Sequence, residues 1–93
     1  MKDELDELRR RIDMLDEHIV RLLNARAACA IEVGRLKKAL KMPVYQPERE
    51  REVLAHVQEL TTGPLVEEAI KRLFERIIDE ARHLERVADQ IQR

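Results

Sequence analysis

The strongest constraint on this chain is a helical pattern of apolar residues that runs with little interruption from about residue 4 to residue 40. Leu5, Leu8, Ile12, Leu15, Ile19 and Leu22 recur in alternating steps of three and four, and the pattern resumes at Cys29, Val33, Leu36 and Leu40. That spacing draws one stripe along an α-helix. A helix of roughly 36 residues extends ~54 Å, whereas a compact chain of 93 residues has a radius of gyration of only ~12 Å. The first helix must therefore project out of its own subunit. An apolar face without intramolecular cover needs another chain, and a two-fold homodimer with crossing long helices is the simplest closure.

The position skipped in the stripe is Arg26. An arginine on an apolar seam is costly to bury alone, so it must meet a counter-charge, either a protein carboxylate or a ligand. Both readings stay open on this residue alone.

Two breaks divide the rest: Met42-Pro43-Val44-Tyr45-Gln46-Pro47 and Thr61-Thr62-Gly63-Pro64. The second helix is predicted to start at Pro47 and end near Leu60, with Val53, Leu54, Val57 and Leu60 on its apolar face. The third is predicted to start near Pro64 and run almost to the C-terminus, with Val66, Ile70, Leu73, Phe74, Ile77, Ile78, Ala81, Leu84 and Ile91 facing inward. Two glycines, three prolines and 2% aromatic residues argue for helices and against sheet. The expectation is an all-α domain spanning residues 1–93, three helices per protomer, in an intertwined homodimer.

Composition narrows the function classes. The 18 basic and 19 acidic residues nearly cancel, so no global field attracts nucleic acid or an anionic membrane. The acidic N-terminus lacks the apolar run of a signal peptide and no stretch reads as a membrane span, which predicts a cytoplasmic protein. His18, His56 and His83 have no ligand spacing, so no metal is expected. Cys29, among Ala27, Ala28, Ala30 and Ile31, reads as a small buried residue.

Lys37 lies 11 residues beyond Arg26, close to three turns, which puts the two cations on nearly one face and ~16 Å apart. Glu85 continues the line of Phe74, Ile78 and Ala81, while Arg49 and Glu50 occupy the first turn of the second helix. Taken singly, each has a plain reading as a solvated or helix-paired charge. Together they offer cations and acids around one place, without a nucleophile.

The run Leu8-Arg9-Arg10-Arg11-Ile12-Asp13-Met14-Leu15-Asp16-Glu17, followed by Leu22-Leu23-Asn24-Ala25-Arg26, Glu32-Val33-Gly34-Arg35-Leu36-Lys37, Pro43-Val44-Tyr45 and Pro47-Glu48-Arg49-Glu50-Arg51, resembles the all-helical (AroQ) class of chorismate mutases. Gly63-Pro64-Leu65 leading to Leu73-Phe74-Glu75-Arg76-Ile77-Ile78 is similar to the start of that family's third helix. The likeness covers nearly the whole chain and is greatest to mutase domains often fused to prephenate dehydratase or to the first enzyme of the shikimate pathway. It implies a [3,3] rearrangement of chorismate to prephenate, in phenylalanine and tyrosine biosynthesis, with no cofactor and no covalent intermediate. Such a reaction needs a held dianion and stabilised charge on the breaking ether oxygen.

The resemblance also implies residue roles. Arg9, Arg26 and Arg49 match carboxylate-binding arginines, Lys37 the lysine at the ether oxygen, and Glu50 the acid that accepts the ring hydroxyl. Arg9 and Arg26 are 17 residues apart, ~25 Å on one helix, so Arg9 is expected from the other subunit. Gln46 stands where the family often has aspartate, and Ala81 where some members carry a serine that touches a carboxylate. Glu85 stands where many have glutamine beside the ether oxygen, which implies a protonated Glu85 in the working complex. Beyond the homodimer, the resemblance implies fusion to, or complex with, another enzyme of the pathway. Two rivals share the pattern: isochorismate-pyruvate lyase on the same fold, and a non-catalytic helical dimerisation module in which Arg26 only sets register.

Overall fold

A computed structural model describes residues 1–88. Its elements are α1 (Lys2–Leu40), α2 (Pro47–Leu60) and α3 (Glu67–Arg86), and no strand occurs among the described residues. The all-α expectation holds. α3 packs against both other helices, while α1 and α2 share no backbone contact among the described residues. The space between α1 and α2 is thus floored by α3.

α1 extends as its sequence pattern requires: the longest dimension is 58 Å and the radius of gyration 16.7 Å. Along its first half, Leu5, Leu8, Ile12, Leu15, Ile19 and Leu22 are between 47% and 70% exposed in the protomer. The stripe exists, and no part of its own protomer covers it. The second half packs differently from the expectation. Large residues of the predicted stripe stay exposed, Leu36 at 62% and Leu40 at 67%, and Cys29, expected to be buried, is exposed as well. The face turned to α3 is instead built from small residues, with Ala30 and Gly34 buried. Small side chains let two helix backbones approach, so they rather than leucines form the contact.

The end of α1 is closed by a Schellman arrangement. Lys41 adopts the left-handed conformation at φ 60°, and the Met42 N–H donates to the Lys37 carbonyl at 2.8 Å. This ends α1 one turn beyond Lys37. α2 starts at Pro47 as expected, since proline suits the first helical position. α3 starts at Glu67 rather than near Pro64. The Thr61 hydroxyl donates to the Leu65 carbonyl at 2.6 Å and accepts from the Gly63 N–H at 3.3 Å. That loop is therefore held outside the helix, and the Ile70 N–H makes its helical bond to the Val66 carbonyl. Glu67 and Glu68 in the first turn complement the helix dipole. α3 ends at Arg86, and the expected continuation that includes Ile91 lies outside the described residues.

Candidate active site

A cavity of about 490 Å³ opens between α1, the loop after it, α2 and α3. Its size falls in the range of small-molecule sites, roughly 300–1,000 Å³. Arg26, Lys37, Gln46, Arg49, Glu50, Ala81 and Glu85 all line it. Arg9 does not; it sits exposed on the uncovered half of α1. Of the helical stripe beyond Leu22, Cys29 and Val33 line the cavity, and with Arg26, Ala30 and Lys37 they form its α1 wall.

Lys37 is held on two sides. Its ammonium donates to Glu85 Oε1 and to the Val44 carbonyl, each at 2.8 Å, and both side chains of the ion pair are only 14% exposed. The bond to Val44 also fastens the α1–α2 loop over the site. Glu85 reaches this position because α3 passes against Gly34: a Cβ there would stand 2.7 Å from the Glu85 Cα. A glycine is required for that approach.

Glu50 forms the second cross-helix pair. Arg82 Nη2 donates to Glu50 Oε1 and Oε2 at 2.8 Å, and Arg82 Nε donates to Oε2 at 3.1 Å. The same guanidinium lies over the Tyr45 ring, 5.3 Å from its centroid, a cation–π geometry. Hydrogen bonding to Glu50 and its negative charge hold the Arg82 proton more firmly than usual, against an opposing effect of burial. Ion pairs such as Arg10–Glu7, Arg21–Glu17 and Arg76–Glu80 join neighbours on one helix at solvent-exposed positions and contribute little.

Arg49 lines the cavity but donates to Glu52 at 3.2 Å, with both side chains mostly exposed. The Gln46 side chain turns back to the Pro43 carbonyl at 3.0 Å and does not cap α2. Arg26 is half-buried, and no protein carboxylate pairs with it among the described residues of the protomer. The choice left open for Arg26 narrows to a ligand or a second chain. Four cationic and two acidic side chains face the cavity, a surplus of two positive charges.

Reasoning from the sequence missed Arg82, Tyr45 and the Val44 carbonyl. A usable signal for Arg82 was present: it lies one helical turn before Glu85 and next to Ala81, close to a face already marked as inward. The Val44 carbonyl has no side-chain signature at all.

Fold and site together define a class of small all-helical proteins with a cationic, ligand-sized cavity between helices. The model of the family described as chorismate mutase type II matches residues 8–86. The chain belongs to that family. It is 48% identical over 88 residues to the bifunctional chorismate mutase/prephenate dehydratase of Stutzerimonas stutzeri, covering 89% of this chain and 24% of that protein. It is 30% identical over 87 residues to the chorismate mutase of Methanocaldococcus jannaschii, covering 92% of this chain and 88% of that one. The chain spans about a quarter (24%) of the length of the bifunctional relatives. Among solved structures, it matches a chorismate mutase (Form II) from Thermus thermophilus with a TM-score of 0.87 at 36% identity, covering 89% of this chain and 94% of that one. It matches the Helicobacter pylori chorismate mutase in complex with prephenate with a TM-score of 0.85 at 26% identity, covering 96% and 97%.

Proposed function

We propose that the chain catalyses the rearrangement of chorismate to prephenate, without a cofactor, in a cavity completed by a second copy of itself. The observation that carries this reading is Arg26: a half-buried guanidinium without a carboxylate partner among the described residues of its protomer, in a cavity with two surplus positive charges. A small dianion matches that surplus, and planar guanidiniums match carboxylates. The reaction is unimolecular, so the protein's task is to hold the compact conformer and stabilise charge growing on the ether oxygen.

In this reading Arg26 binds a carboxylate and Arg49 leaves the exposed Glu52 to bind substrate. Lys37 faces the ether oxygen, with Gln46 and Ala81 in contact with the ligand, and Glu50 accepts the ring hydroxyl. Glu85 holds the Lys37 ammonium in place from α3 through their ion pair. Arg9 enters from the partner subunit, in a homodimer closed over the exposed stripe from Leu5 to Leu22. The bifunctional relatives support association with an enzyme that consumes the product, by fusion or in a complex.

The test is an assay of the purified chain on chorismate and on isochorismate, together with the Arg26→Leu variant. Prephenate from chorismate is expected, with turnover reduced by roughly 10²-fold or more in the variant while its helical circular dichroism is retained. Salicylate and pyruvate from isochorismate as the main products would move the reading to the lyase. No turnover of either, with a stabilised Arg26→Leu variant, would leave a dimerisation module.

A further inference from the structure

We propose that Arg82 is a positioning residue for this reaction: it locks the Glu50 carboxylate so that a single acceptor site remains, directed to the substrate's ring hydroxyl. The inference rests on the chorismate reading and extends it to a residue that the family resemblance does not mark. Glu50 sits in the first turn of α2, where a glutamate would ordinarily pair with its own helix, as Glu48 does with Arg51 at 3.0 Å. Glu50 instead reaches across to α3, and its side chain and that of Arg82 are only 24% and 22% exposed.

The geometry is more restrictive than a simple cross-link needs. A carboxylate offers about four acceptor sites. Arg82 takes up three of them through its bonds to Oε1 and Oε2. One site is left, on Oε1 of a group that lines the cavity. Arg82 is itself fixed, by Asp79 Oδ1 at 3.3 Å on one edge and by the Tyr45 ring over its face at 5.3 Å. A carboxylate clamped in this way by a planar, forked donor is held in one rotamer, with its remaining acceptor site at the cavity wall. Arg82 also neutralises Glu50 at the cavity wall, so that a dianion does not meet an uncompensated carboxylate on entry.

The test separates the hydroxyl from the carboxylates of the ligand. Calorimetric titration uses a bicyclic dicarboxylate transition-state analogue that carries the ring hydroxyl, and its deoxy counterpart, on the full chain. The wild-type protein is expected to prefer the hydroxylated analogue by at least about tenfold, as for one hydrogen bond to a charged group. Arg82→Met should bring the two affinities within about twofold of each other, chiefly by weakening the hydroxylated analogue, and Glu50→Gln should do the same. Arg82→Lys keeps the charge but lacks the fork, so it too should lose most of the preference; it provides the reading if the methionine variant does not fold. Equal weakening of both analogues would overturn the proposal in favour of direct carboxylate binding by Arg82 or general distortion. Unchanged affinities with a lowered melting temperature would overturn it in favour of a helix cross-link. Failure of both analogues to bind the wild-type protein would reject the chorismate reading, and the role of Arg82 with it.

Discussion

Gly34 and Glu85 meet at backbone distance: a Cβ on Gly34 would lie 2.7 Å from both the Cα and the carbonyl oxygen of Glu85, and 3.1 Å from the Ala88 Cβ. Neither backbone atom can swing aside, so Gly34→Ala must push α3 away from α1. Alanine gains about 1 kcal/mol of helix propensity over glycine, but overpacking against a rigid neighbour typically costs about 1–3 kcal/mol. The expected outcome is a lower melting temperature, together with reduced kcat because the Lys37–Glu85 spacing changes. Thermal unfolding and steady-state kinetics on one preparation check both.

The role assigned to Arg9 makes a mixing prediction. Arg9→Ala and Arg26→Ala are each expected to be nearly inactive. Mixed dimers regain one intact site of two, so random exchange of equal amounts should restore about a quarter of wild-type activity per chain. Activity that stays at the level of the separate variants after verified exchange would reject the shared site.

Lys41 holds a left-handed conformation, φ 60° and ψ 38°, at the position after α1 where glycine is usual. Left-handed backbone costs a residue with a Cβ about 1–2 kcal/mol, and glycine gives back part of that gain through its freer unfolded chain. Lys41→Gly should stabilise the protein by about 0.5–1 kcal/mol, read as a rise of a few degrees in melting temperature.

Much of the fold is legible from spacing. The three- and four-residue steps from Leu5 to Leu22 mark the long helix, and its length against the size of the chain marks the missing partner surface. Past Arg26, Cys29 and Val33 of the same stripe line the cavity, although they read at first as core, while Leu36 and Leu40 stay exposed. Periodicity locates a face but does not say whether that face meets protein, solvent or ligand. The true α1–α3 contact uses Ala30 and Gly34, which carry too little hydrophobic signal to stand out. Thr61 delays α3 to Glu67 through its own hydrogen bonds, which a preference for proline at helix starts does not anticipate. For the site, charge pattern and family likeness bring Lys37, Glu50 and Glu85 to one cavity. Arg82 escapes because its meaning depends on a carboxylate 32 positions away.

Among the described residues of a protomer, only Ala30, Ile78 and Ala88 are buried hydrophobics. In the proposed homodimer, a chain so thinly insulated from water would obey mass action as much as packing. Dilution is then expected to erode heat resistance and catalytic output in step, with protein concentration acting much as an added stabilising solute would.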